Sequence, residues 1–184
     1  LFYINVIICI DLEIVKPKNY RKNKEIASRK AIYDEKALRI TKYMQGHQVG
    51  HKAQYKEDLY LYENYFYGRV NGTIFESGAY DGNRLSTSYM FEKYFDWFPI
   101  HVEASHQHFE LLKMNRPDAL NIHSALCNET KLVHFLHRLN GSSVDGILEF
   151  MEKKFVTRFH KYWHRTHDPQ LIKEMSCVTM PYLL

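Results

Sequence analysis

Three observations on the sequence predict an α/β fold of the doubly wound kind. Residues Thr73–Gly82, TIFESGAYDG, begin as a β-favouring run and turn abruptly into a glycine-containing loop. Apolar residues then recur at helical spacing after Asn83, so the unit reads as strand, tight turn and helix. A second strand, Pro99–Glu103, ends in an acid about twenty positions beyond Gly82, the separation at which a dinucleotide-type fold places the carboxylate that accepts ribose hydroxyls.

Composition is that of a globular chain. The 184 residues are 45% hydrophobic and 25% charged, enough to bury a core. The net charge of +4 is mild and the basic residues are dispersed, which gives no case for nucleic-acid binding. Cys9, Cys127 and Cys177 fit neither a metal-knuckle spacing nor an even disulfide framework, so buried free thiols are expected. The chain begins with Leu1, which suggests a piece of something longer.

Leu1–Ile10 is apolar apart from Asn5 but is followed at once by Asp11 and Glu13, too short a run to span a bilayer. It reads as a core strand or helix end. The other reading is the tail of a signal-anchor flanked by the basic stretch Lys16–Lys22, which would allow membrane association. From Asn23 to Tyr43, Ile26, Ile32, Leu38 and Ile40 sit among charged residues, as in an exposed helix with an imperfect apolar stripe. Gly46 and Gly50 end it. In Gln54–Phe66, Leu59, Tyr62 and Phe66 fall at i, i+3 and i+7, giving a helix with an aromatic face that would cap the sheet.

Beyond the opening loop, Leu85, Tyr89, Phe91, Tyr94 and Phe95 supply the apolar face of a helix. Ser105–Asn115 is a further helix with Phe109 and Leu112 inward, stopped by Arg116-Pro117. Ala119–Leu126 reads as the third strand and Lys131–Leu136 as another, joined to it in a hairpin through Asn128-Glu129-Thr130. Val144 through Tyr162 reads as helical, and Ser176–Leu184 as a final strand-like run.

The glycines at 78 and 82 do not make GxGxxG, because Tyr80 stands where a middle glycine would let backbone approach a pyrophosphate. S-adenosylmethionine has no phosphate; its sulfonium, ammonium and ribose diol ask for carboxylates and carbonyls. Glu76 suits the amino-acid end of such a cofactor or the support of the loop, and Glu103 suits both ribose hydroxyls. Asp81 and His123 are the local candidates for a general base, each with a structural role as the alternative. His160, His164 and His167 share one helical face, but no acid or cysteine completes a metal site, and none is expected. Asn71-Gly72-Thr73, Asn128-Glu129-Thr130 and Asn140-Gly141-Ser142 are glycosylation sequons, meaningful in a luminal protein, so cytoplasmic and membrane-anchored luminal placements both stay open.

The segments Gln54–Leu59 through Asn71-Gly72-Thr73, Phe75–Gly82, Glu103-Ala104-Ser105, Asn115-Arg116-Pro117 and Ala125-Leu126-Cys127 together resemble the FkbM-type methyltransferase family. The resemblance implies a Rossmann-like class I methyltransferase fold, incomplete at the C-terminus, with residues 1–53 as an N-terminal helical extension and 54–184 as a partial domain. It implies S-adenosylmethionine as cofactor, with Glu76, Gly78, Ala79, Asp81 and Gly82 as its loop, Glu103 as the ribose acid, and Ser124 and Ala125 near the adenine. The reaction implied is O-methylation of a sugar or another small molecule bearing a hydroxyl group. Ala104 replaces a proline common in that family, and the chain stops before a fourth strand carrying an acidic D-x-E-G motif. The central strand is therefore expected to have an open, apolar edge and the fragment to be inactive alone. A non-catalytic Rossmann-like interaction module is the alternative, and a nicotinamide-dependent oxidoreductase is disfavoured by the missing glycine.

Overall fold

The computed structural model describes residues 6–9, 35, 50–67, 69–138 and 142–183. The helix expected over Asn23–Tyr43 lies outside the described residues apart from the exposed Glu35, as does the basic flank Lys16–Lys22. No helix among the described residues is long and apolar enough to cross a membrane.

Among the described residues the molecule is an α/β protein with two sheets of four strands each. The first is ordered β1-β2-β3-β4, comprising β1 (Val6–Cys9), β2 (Thr73–Ser77), β3 (Phe98–Glu103) and β4 (Leu120–His123). β2, β3 and β4 are parallel, with Glu76 opposite His101 and His101 opposite Asn121. Parallel neighbours need crossovers. Here these carry α2 (Ser88–Phe95) and α3 (His106–Asn115). Before them, α1 (Glu57–Leu61) runs on into a π-helical turn, Tyr62–Phe66.

Alternation along β2 sends consecutive side chains into different cores. Ile74 packs with Tyr62, Met90, Phe91, Phe95 and Trp97, joined by Leu59 and Phe66, so the expected aromatic face of α1 does cover the sheet. Phe75 packs instead with Phe98, Ile100 and Val102, against Met180 and Leu183 of α6 (Met180–Leu183). Burying side chains of this size contributes roughly 1.5–3 kcal/mol each. Ser105 caps α3, its Oγ accepting from the His108 N–H at 3.4 Å, and Leu112 is fully buried, whereas Phe109 is only half-buried.

Several expectations are corrected. Leu85 lies outside the helix, in the loop before it, with φ at 60° and a parallel bridge to Ala53; the inward face of α2 is Met90, Phe91 and Phe95. The expected third strand divides at Ser124: Leu120–His123 stays in the first sheet, and β5 (Ala125–Leu126) joins the second. That sheet is ordered β5-β8-β6-β7, with β6 (Lys131–Leu136), β7 (Gly146–Ile147) and β8 (Ile172–Val178). β5 and β6 therefore form no hairpin, because β8 lies between them, parallel to β5 and antiparallel to β6.

The helix expected over Val144–Tyr162 is instead β7, a 3₁₀ turn at Leu148–Phe150, and two short helices, α4 (Lys153–Phe159) and α5 (Lys161–Thr166). The terminal strand begins earlier, at Ile172, and the run ends as α6. Cys127 and Cys177 form a disulfide with Cα atoms 5.6 Å apart, because the β5–β8 pairing sets Ala125 against Cys177 two residues upstream. Finally, the edge of β2 expected to be open is paired: β1 runs antiparallel along it, from Val6 opposite Ser77 to Cys9 opposite Ile74.

Candidate functional site

Carboxyl ends of parallel strands are where doubly wound sheets leave a crevice, because the chain departs there in alternating loops. A cavity of about 830 Å³ opens at that end, between the ends of β2 and β3 and the β7–α4 segment. Ser77, Gly78, Val102, Glu103 and Ala104 form one wall and Ser124, Ala125 and Leu126 continue it. Asp145, Gly146, Ile147, Phe150, Met151, Glu152, Phe155, Arg158 and Phe159 are on the other side.

Glu103 is the centre of this wall. It is 1% exposed, and its carboxylate accepts from the Tyr80 N–H through Oε2 and from the Ser105 N–H through Oε1, both at 2.8 Å. Burial pushes its pKa up to about 7, against the pull of those backbone donors. The Ala104 amide adds to that pull.

The loop that follows β2 is fixed from several sides. The amides of Gly78 and Ala79 donate to the Val102 carbonyl at 2.8 and 3.3 Å, and Asn115 Nδ2 donates to the Asp81 carbonyl at 2.8 Å. Gly82 takes a φ of +72°, and a Cβ there would come within 2.6 Å of Leu112 Cδ1 and 2.7 Å of Arg116 Cγ. Asp81 turns its carboxylate onto its own loop, accepting from the amides of Asn83 and Arg84 and from Arg84 Nε. Burial raises its pKa, but the Arg84 hydrogen bonds outweigh that and hold it below the usual carboxylate range.

Glu76 lies in a closed polar layer beneath α2. Its Oε1 accepts from the Thr87 N–H at 2.8 Å; its Oε2 accepts from Ser86 Oγ at 2.9 Å and Ser88 Oγ at 2.6 Å. A carboxylate there also meets the positive end of the helix. Arg116, 1% exposed, pairs through Nε with Glu92 and donates to the Gly82 carbonyl, Ser86 Oγ and Ser88 Oγ. Asn121 Nδ2 donates to the Arg116 carbonyl, so its Oδ1 accepts from His101 Nδ1–H, and His101 Nε2 lies 2.8 Å from Ser88 Oγ. Burial, then the Arg116 charge, drive the His101 pKa down to about 3. The imidazole is neutral.

Of the residues expected at the site, Gly78, Glu103, Ser124 and Ala125 line the cavity. Glu76 is fully buried in the layer just described and holds the loop, one of its two expected roles. Ala79, Asp81 and Gly82 shape the turn and do not line the cavity. Neither base candidate lines it: Asp81 is committed to Arg84, and His123 is exposed, stacked on Phe109 and bonded through Nε2 to the Ala104 carbonyl. His160 is buried with Nε2 against the Val144 carbonyl at 2.9 Å, and no cluster of metal-ligating side chains occurs among the described residues.

Sequence reasoning missed the opposite wall. Asp145 is 4% exposed, accepts from the Ser142 N–H at 2.7 Å, and has its pKa raised by burial. The Val144-Asp145-Gly146 turn in front of an aromatic run was the available signal, masked by helical periodicity. Compared with family models, curated proteins and solved structures, the chain finds no match in any of the three.

Proposed function

We propose that the chain is the cofactor-binding part of an S-adenosylmethionine-dependent methyltransferase of Rossmann-like class I fold, O-methylating a hydroxyl of a sugar or another small molecule. The observation that carries this reading is Glu103, a buried acid at the carboxyl end of β3 that lines the cavity beside Gly78. The parallel run β4-β3-β2 corresponds to the 3-2-1 half of a doubly wound sheet, and its crevice is the usual place for such a ligand.

The lining suits the ligand. Among the described residues its charged members are Glu103, Asp145 and Glu152 against Arg158, a balance that favours a sulfonium and an ammonium over a pyrophosphate. When bound, the cofactor supplies an electrophilic methyl group. Glu103 accepts the ribose hydroxyls, Val102, Ala104 and Leu126 offer apolar contact to the base, and Phe150, Met151 and Phe155 shield the acceptor side from water. Asp145 takes the acceptor's hydroxyl proton, in place of Asp81 and His123; burial brings a carboxylate toward the range a general base needs.

Calorimetry with S-adenosylmethionine on the protein from the complete reading frame is the test. Binding that Glu103→Ala weakens at least tenfold is expected; no binding, or binding indifferent to the substitution, removes the assignment. The non-catalytic alternative gains from the same cavity, because it too has a binding wall. It predicts cofactor binding with no methyl transfer to any hydroxyl acceptor.

A further inference from the structure

The disulfide between Cys127 and Cys177 bears on where the chain matures, because such crosslinks form and persist in oxidising compartments. The residue after Cys127 begins the sequon Asn128-Glu129-Thr130. These are independent features of one turn, one a crosslink and the other an acceptor triplet, and both belong to the same cellular location.

The turn between β5 and β6 suits a glycan. Asn128, Glu129 and Thr130 are all exposed, and among the described residues none hydrogen-bonds the Asn128 side chain. Glu129 reaches outward to Lys131 Nζ at 3.0 Å. The turn's backbone is anchored on one side by the Cys127 N–H on the Val178 carbonyl at 2.9 Å. The sequon at Asn71 differs: Asn71 is half-buried with φ at 61°, Thr73 is 6% exposed inside β2, and a Cβ on Gly72 would lie 2.6 Å from the Trp97 ring. Asn140 lies outside the described residues.

From the exposed sequon beside the crosslink we infer that Asn128 carries an N-linked glycan in the mature protein, which matures in a luminal, oxidising compartment. In the modification, Asn128 Nδ2 forms a bond to the anomeric carbon of an oligosaccharide carried on a lipid diphosphate. The bond from that carbon to the diphosphate oxygen breaks, the lipid diphosphate leaves, and the amide loses one proton. The inference is independent of the cofactor reading.

The test is peptide mass spectrometry on the protein expressed in eukaryotic cells from its complete reading frame under its own N-terminal sequence. With the inference correct, most of the peptide containing Asn128 appears only after treatment with peptide-N-glycosidase, carrying aspartate at position 128, and Thr130→Ala abolishes the change. Cys127 and Cys177 resist alkylation until reduced. An Asn128 peptide found mostly at its unmodified mass before that treatment overturns the inference, whether the two cysteines are crosslinked or free.

Discussion

Two buried side chains with displaced pKa values sit two positions apart on β3, and they act on stability with opposite signs. His101 at about 3 binds its proton more weakly folded than unfolded, so acid lowers stability between pH 6.5 and about 3, and the full contribution is present above 6.5. Glu103 at about 7 binds its proton more tightly folded, so its contribution is full below pH 4.5 and is lost as pH rises to about 7. Between pH 4.5 and 6.5 these two nearly cancel each other; below 4.5 the histidine is the one of the pair that still contributes, at about 1.4 kcal/mol per pH unit. Urea melts from pH 3 to 8 are expected to show a plateau and then a steep acid limb, and His101→Asn flattens that limb. On the reading above, Glu103 must be ionised to accept the ribose hydroxyls, so cofactor affinity falls by up to tenfold per pH unit below about 7. Glu103→Gln removes that dependence, and calorimetry at several pH values reads both. Arg116 is the remaining case at this level: Arg116→Ala leaves Glu76 buried without its nearby cation and the half-buried Glu92 with Lys93 at 3.6 Å, a loss of about 3 kcal/mol. The thermal midpoint should fall by roughly 10 °C.

Among the elements, the loop after β2 and the two-residue strand β5 are the pieces that cannot hold themselves. Gly82→Ala forces a side chain into left-handed backbone against Leu112 and Arg116, costing about 1–2 kcal/mol in a denaturation melt. β5 has only Ala125 and Leu126 to pair with β8, and the crosslink across 50 residues contributes about 4 kcal/mol by loop closure. Cys177→Ala is expected to lose most of that and, on the proposed methyltransferase reading, to weaken cofactor binding, because Ala125 and Leu126 are cavity wall; a melt with and without reductant shows the first effect, calorimetry the second. The strand-turn-helix at Thr73–Phe95, the acid ending the strand at Glu103 and the helix that follows it to Asn115 were legible in the sequence, since each depends on local period and spacing. Of the second sheet only β6, Lys131–Leu136, was legible as a strand, and its pairing was not. Strands β6 and β8 pair across up to 45 intervening residues, Lys131 with Cys177, and nothing local in Ile172–Val178 indicates a partner that distant. The disulfide follows from that pairing and was hidden with it, as was Asp145, whose place in the cavity depends on β7 lying against β6.

For the whole molecule, two sheets and the covering helices enclose the cavity, and Ser124 is the point where the chain passes from one sheet to the other. The parallel strands are bounded on the β2 side by a single short antiparallel strand, Val6–Cys9. Deleting residues 1–10 uncovers the edge from Ile74 to Ser77, an exposed template for pairing with other chains. Light scattering on the shortened protein should report concentration-dependent association that the parent lacks.

One side of a backbone ladder accepts one neighbour at a time. The rung positions of β2 taken by β1 are the same amides and carbonyls that a parallel strand from any other segment would need. Such a segment can enter the sheet there only by expelling Val6–Cys9, so the two arrangements are mutually exclusive occupants of one track, and their balance is a competition that a synthetic peptide of residues 1–12 added in trans would tilt.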